Sequence, residues 1–396
     1  MLRPGQGLVI FAVALLIFGV VMVNSAGLSV QEADGITLSR VLTSRPMIYA
    51  LLAGAMLAIG ACVPVRRIFT ARGLASPIPW LTLATLVLLL AVYLPGLSRE
   101  MNGSKRWLNL GGVSFQPSEF AKWTLIILLA WHGAKRAAVM HRLTSGFLPG
   151  VFLIGLVCLL IGVHDLGTAV LVGLVGMAML VAAGVRWWQA GMLVPVGAAA
   201  FTAAVIHSPY RINRLLAYVN PFDDPQGIGY HVIQSMSAVS GGGLAGRGLG
   251  NGVRKFGYLP EDTTDFIFAI ICEELGIFGA ALVLFLYGGL VVCGLLVARR
   301  VSHPFLRLVA LGVVLTIGLQ AAINIAVVTG VAPTKGIALP LLSHGGTGWA
   351  LTAFSIGLLV SMDRRVREEE EAEASGHQGI EGQEDDDEAI LPAGVM

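Results

Sequence analysis

Residues 257–279 read GYLPEDTTDFIFAIICEELGIFG, which sets Glu261, Asp262 and Asp265 at the mouth of a long apolar segment and Glu273 and Glu274 inside it. An ionised carboxylate at membrane depth is costly unless a polar cavity or a partner receives it, so the stretch marks a candidate functional site. Thr263 or Thr264 is placed to cap the helix, with Asp265 in its first turn. There the helix dipole favours the carboxylate and low-dielectric surroundings favour the acid, a balance suited to proton transfer. Plain charge complementarity at a helix start accounts for the same placement.

Four further segments carry polar chemistry. In MNGSKRWLNLGGVSFQPSEFAKW, Lys105, Arg106 and Trp107 form a cationic and aromatic cluster that suits either a ligand or lipid headgroups. Gln116, Pro117 and Ser118 then read as a helix start, followed by Glu119 and Lys122 one turn apart on one face, as in a structural ion pair. Asp165 lies in the short joint HDLGTA, where helix capping is the simple account. The stretch 207–264 holds Arg211 and Arg214 in YRINRL, then a glycine run around Arg247 whose N–H groups would suit a phosphate or merely a flexible linker. Finally, in QAAINIAVVTGVAPTKGIALPLLSHGGTGW, prolines and paired glycines break the helix beside Lys335, which is tolerated at that depth where the backbone lines a cavity. No metal-ligand spacing recurs, and His344 alone reads as a satisfied polar side chain.

The elements that must position these residues follow from composition. Hydrophobic residues make up 56% of the chain and charged residues 13%, against the roughly 25% charged of soluble domains. The chain is therefore expected to be an all-α polytopic membrane protein, and nothing in it suggests nucleic-acid binding. A hydrocarbon core of about 30 Å needs ~20 apolar residues per helix. Ten segments meet this, near 7–25, 46–65, 77–97, 118–134, 146–163, 166–185, 188–206, 265–297, 304–330 and 340–361. The eighth is longer than one span needs, so it is tilted, broken or protruding. The long loop between the seventh and eighth then faces outward.

Ten spans put both termini on one side, and the short basic loops RRIFTAR, KRAAVMHR and ARRVSHPFLR make that side cytoplasmic. The basic residues left outside call for a reason, which an anionic substrate supplies. The first apolar run reads as a retained span rather than a cleaved signal. Residues 1–362 form the membrane domain, and 363–396 read as an acidic disordered cytoplasmic tail too charged to build a core. Cys62, Cys158, Cys272 and Cys293 read as small core residues without disulfides. The 50 glycines suit close helix packing.

Taken in order, KRWLNLG with QPSEFAK, DLGTA, QSMSAVSGGGLAGRGLG, LPEDTTDFIFAIICEELG and PTKGIALPLLSHGGTG resemble the SEDS family (shape, elongation, division and sporulation). The PTKG form looks more like the FtsW division branch than the RodA elongation branch. The resemblance implies a ten-span glycosyltransferase of the bacterial inner membrane, at the division septum, that polymerises lipid II into glycan strands. It also implies a class B penicillin-binding protein as cross-linking partner, with other divisome proteins and membrane lipids around it. Asp265 would be the catalytic residue. Lys105, Arg106, Trp107, Gln116, Glu119, Lys122, Asp165, Arg211, Arg247, Glu261, Lys335 and Ser343 would line the substrate cavity. Where the family often has His, Tyr and Ser-Ser, this chain has Thr263, His344 and Thr347 with Gly348. With Asp265, Glu261 and Lys335 present, activity is expected.

The implied chemistry is displacement of an anomeric diphosphate by a sugar hydroxyl, which needs a base and positive charge on the departing group. Lys105, Arg106, Arg211, Arg247 and Lys335 are the candidates for that charge, and a divalent cation such as Mg2+ would share it. A flippase or transporter of the lipid-linked precursor would use the same cations. A scaffold for division partners fits the acidic tail but leaves the buried carboxylates without a role.

Overall fold

The computed structural model describes residues 3–27, 38–65, 73, 76–94, 96–101, 104–110, 113–255, 263–344 and 346–388. The architecture is mostly helical, and a helix overlies each of the ten apolar segments. In chain order these are α1 (Pro4–Ala26), the short α2 (Leu38–Thr43), α3 (Arg45–Cys62), α4 (Pro77–Ala91), α5 (Pro117–Lys135), α6 (Leu148–Gly162) and α7 (Leu166–Ala182). Then come α8 (Trp187–Gly191), α9 (Leu193–Ile206), α10 (Pro209–Val219), α11 (Tyr230–Gly241), α12 (Ile267–Arg300), α13 (Pro304–Val328) and α14 (Gly346–Glu388). Among the described residues six helices are long and apolar enough to cross a membrane. Their outer faces leave Ile17, Phe152, Leu159 and Phe278 more than 60% exposed, a surface suited to lipid and not to water.

Proline opens α1, α3, α4, α5, α10 and α13, where its missing N–H costs nothing. Glycine lets helix backbones touch. A Cβ on Gly60 of α3 would lie 2.4 Å from the Phe354 carbonyl of α14, and one on Gly357 would lie 2.2 Å from the Leu57 carbonyl. The core is built largely from α1, α5, α12, α13 and α14, with α12 packed between α1 and α13.

Three features differ from the sequence-based expectation. The fold is not purely helical: β1 (Ser98–Met101), β2 (Ser104–Leu110) and β3 (Val113–Phe115) form an antiparallel three-stranded sheet between α4 and α5. The 207–264 stretch contains α10 and α11 and is not simply a loop. The acidic segment after residue 362 continues α14 helically to Glu388. Its first turns carry the i,i+4 pairs Arg365–Glu369 (3.4 Å) and Arg367–Glu371 (3.5 Å), which favour helix.

The overlong eighth segment is broken at Gly276 (φ 63°, ψ −152°), which separates 267–275 from 277–300. Only glycine adopts this backbone easily, and a Cβ there would lie 2.5 Å from both Leu244 O and Gly246 N. The kink marks where the glycine run crosses α12.

Candidate active site

Asp265 ends the connection into α12. The helix starts at Ile267 with Phe266 as N-cap and no side-chain cap, so neither threonine caps it and Asp265 stands just before the first turn. The backbone around it is tied to the α13–α14 connection. The Thr263 carbonyl accepts from His344 N (2.9 Å), and the Asp265 carbonyl accepts from Asn324 Nδ2 (2.8 Å). The carboxylate itself lies over Gly336: a Cβ on that glycine would be 2.7 Å from Asp265 Oδ2. Asp265 is thus beside the residue that follows Lys335.

That connection is irregular but anchored. Gln320 Nε2 donates to Ala338 O (2.8 Å), Asn324 Nδ2 to Ile337 O (2.7 Å) and Tyr287 Oη to Pro340 O (2.6 Å). Leu341 is buried with φ 62°, a left-handed conformation that costs a branched side chain energy and persists only where packing imposes it. Ser343 contributes here as scaffold. Its hydroxyl accepts from Leu339 N (2.8 Å) and its carbonyl from Trp349 Nε1 (2.5 Å), so it shapes the turn instead of presenting a free hydroxyl.

A cationic group surrounds this loop. Asp165 caps α7, accepting from Thr168 N (3.0 Å) and Thr168 Oγ1 (2.9 Å), and its Oδ2 pairs with Arg106 Nη1 at 3.2 Å. Lys335 sits 5.1 Å over the Phe201 ring. Burial pushes its ammonium below the ordinary lysine range; Asp165 pulls it back up, and Arg211 and Arg214 push it down. Arg211 donates to Gly162 O (3.0 Å), Val163 O (2.9 Å) and Ala204 O (3.0 Å), and Arg214 donates to Thr334 O (3.4 Å) and Tyr210 Oη. Both arginines therefore brace the backbone around Asp165 and Lys335.

On the α5 side, Lys122 is 2% exposed and donates to both Glu119 oxygens (3.0 and 2.9 Å) and to Gln320 Oε1 (2.8 Å). Glu119 Oε2 would lie 3.7 Å from a Cβ on Gly348 at the start of α14. Trp107 is half-buried on β2, and Gln116 is the N-cap of α5 without a side-chain cap bond. Lys105 has a described strand position opposite Glu100, and Glu261 lies outside the described residues. Among the described residues no three His, Cys, Asp or Glu side chains come together as a metal site.

Residues 6–368 match the cell cycle protein family of FtsW, RodA and SpoVE. The chain belongs to this family. It is 39% identical over 364 residues to the probable peptidoglycan glycosyltransferase FtsW of Geobacter sulfurreducens, covering 91% of this chain and 95% of that one. It is 40% identical over 281 residues to the stage V sporulation protein E of Bacillus subtilis, covering 71% and 77%. Its fold matches a chain of a peptidoglycan synthase complex that coordinates polymerization and crosslinking, with TM-score 0.71 and 27% identity over 91% and 97%. RodA of Thermus thermophilus shares the fold, with TM-score 0.62 and 24% identity over 90% and 96%. The resemblance read from five motifs is thereby established, and this FtsW-like chain is a multi-pass membrane protein.

Not every polar motif of the FtsW-like protein enters the Asp265 cluster. Glu273 and Glu274, taken from sequence as a sign of chemistry, are 1% and 0% exposed and serve the glycine run. Glu274 accepts from Ser25 Oγ (2.5 Å), Gly250 N (3.0 Å), Gly252 N (3.3 Å) and Lys255 Nζ (2.8 Å). Glu273 accepts from Val253 N (3.2 Å) and Arg254 N (3.1 Å), and faces Arg247 Nη1 at 3.6 Å. Arg247 N and Gly248 N donate to the Glu273 and Glu274 carbonyls (3.0 and 2.9 Å). These N–H groups are occupied by α12, so the run docks a loop and does not offer them as a phosphate cradle, and Arg247 is paired with Glu273.

Conversely, sequence reasoning passed over Gln320 and Asn324, which join three parts of the cluster. Two amide side chains at i and i+4 in an otherwise apolar helix were the available signal.

Proposed function

We propose that this protein polymerises lipid II into peptidoglycan strands at the outer face of the bacterial inner membrane, in septal wall synthesis during division. In this reading the chain crosses the membrane ten times with both termini cytoplasmic, which turns the Asp265 cluster outward. The observation that carries the proposal is the Asp265 carboxylate against Gly336, the residue after Lys335, in a loop whose lysine feels the charges of Asp165, Arg211 and Arg214, with Arg106 paired to Asp165.

In the reaction, the acceptor sugar hydroxyl attacks the anomeric carbon of the donor. The new C–O bond forms as the bond to the diphosphate breaks with inversion, Asp265 takes the hydroxyl proton, and undecaprenyl diphosphate leaves with the electron pair. Lys335 and Arg106, with Arg211 bracing from α10, supply positive potential for the leaving group. Glu119, Gln116 and Trp107 form the adjacent wall for the sugars, with Lys122 buried behind Glu119 and holding it in place. Mg2+ binds through one or two carboxylates together with substrate phosphates, so a metal would arrive with the diphosphate, and chelation of the assay measures its share. The peptidoglycan synthase complex of matching fold supports a class B penicillin-binding protein as the cross-linking partner.

Asp265→Asn tests the assignment, since it keeps size and hydrogen bonding but accepts no proton. Polymerisation of purified lipid II should fall ~100-fold or more while precursor binding and association with the transpeptidase persist. Near-normal synthesis by folded Asp265→Asn would leave the residue as a helix-end charge.

A further inference from the structure

We propose that Asn324 is a positioning residue that holds Asp265 at its working distance from the Lys335–Gly336 backbone. This role rests on Asp265 being the base. Asn324 lies in α13, 1% exposed, and its single Nδ2 donates to the Asp265 carbonyl (2.8 Å) and to the Ile337 carbonyl (2.7 Å). One amide thus clamps the chain entering α12 to the chain following Lys335. The two carbonyl partners also fix the orientation of the amide, because turning it over would set Oδ1 against both oxygens.

Two observations separate this from ordinary packing. Asn324 Oδ1 is buried without a hydrogen-bond partner among the described residues. An orphaned buried acceptor is destabilising, and such defects are tolerated mainly where function requires the geometry. Second, the carboxylate lies directly against the clamped loop: a methyl group on Gly336 would meet Asp265 Oδ2 at 2.7 Å. One turn earlier, Gln320 joins Ala338 to Lys122, so the same face of α13 ties the loop to Glu119 as well. The clamp aligns a base with its substrate, and misplacement by about 1 Å costs on the order of 100-fold in rate.

The test uses full-length Asn324→Leu, which keeps bulk without donors, and Asn324→Asp, which sets a carboxylate against both carbonyls, with Asp265→Asn in parallel. A drop in kcat on the order of 100-fold is expected in both Asn324 variants. KM for lipid II should stay within about twofold, since substrate binding is not the clamp's task. A merely structural role would lower the folded fraction and leave its turnover normal. Folded Asn324→Leu with near-normal kcat, when Asp265→Asn is inactive, overturns the proposal. If Asp265→Asn turns over normally, the base assignment fails instead. Hydrogen exchange on the wild-type protein then decides the clamp without any variant. Amides of 263–268 and 336–339 should open as one unit, and independent opening overturns it.

Discussion

Arg106 and Asp165 meet at 3.2 Å although they lie 59 positions apart in the chain, joining β2 to the N-cap of α7. Asp165 is held by Thr168 as well, whereas Arg106 Nε is buried without a partner among the described residues. The arginine therefore has a donor to spare. Arg106→Gln should raise KM for lipid II with the protein folded and inserted, because Asp165 keeps its cap. Saturation curves for polymerisation check this, and an unchanged KM would return Arg106 to a structural pair.

Lys335 predicts an alkaline limb in activity. Its ammonium is the form that attracts diphosphate, and burial lowers its pKa from 10.5. Activity should fall as pH rises through that lowered value. Stability moves the other way: between the folded pKa and the unfolded value the unfolded chain binds more protons, so stability rises with pH across the window. Lys335→Arg should remove the activity limb, and pH–rate profiles of the two proteins measure it.

The Lys255–Glu274 pair is fully enclosed, with both side chains 0% exposed. Lys255→Met should destabilise the protein by about 3–5 kcal/mol, because it strands a buried carboxylate. Adding Glu274→Gln should recover part of that loss, as thermal unfolding in detergent would show. Equal stability of the single and double variants would mean the pair is not coupled.

Gly242 and Gly246 lie against α12 so closely that a Cβ would be 1.8 Å from Cys272 O and 2.1 Å from Glu274 O. Gly246→Ala should undock the 242–255 segment and expose it to limited proteolysis. Gly197→Ala, where a Cβ meets nothing within 4 Å, is the control that should stay resistant.

Orientation follows from the proposed outward cavity. Leu244, 72% exposed in the glycine run, should be labelled from the periplasmic side as Leu244→Cys in a background lacking Cys62. Arg300→Cys should react only from the cytoplasm. Labelling of Leu244→Cys from the cytoplasm alone would put the cavity on the wrong face.

Much of this protein was legible in the order of its residues. Apolar runs of membrane-spanning length announce helices, because a backbone in lipid must satisfy its own hydrogen bonds, and proline marks where they begin. Asp265, Lys335, Arg106 and Asp165 were identifiable as charges at the ends of such runs, where a site in a membrane protein must gather its polar groups. The kink at Gly276 was foreshadowed only as excess length in the eighth segment.

Partnership was decided by the tertiary structure alone. A carboxylate in an apolar run states that some partner exists but not which one: Glu273 and Glu274 dock residues 247–255, whereas Asp265, eight residues before Glu273, lies against Gly336. Likewise Arg247 met Glu273 while Arg106 met Asp165. Such pairings depend on which distant segments the packing brings within about 3 Å, and hydrogen bonds weaken steeply beyond that reach. Local composition sets where helices form, but the choice among equally charged partners falls to chain crossings that no local pattern encodes.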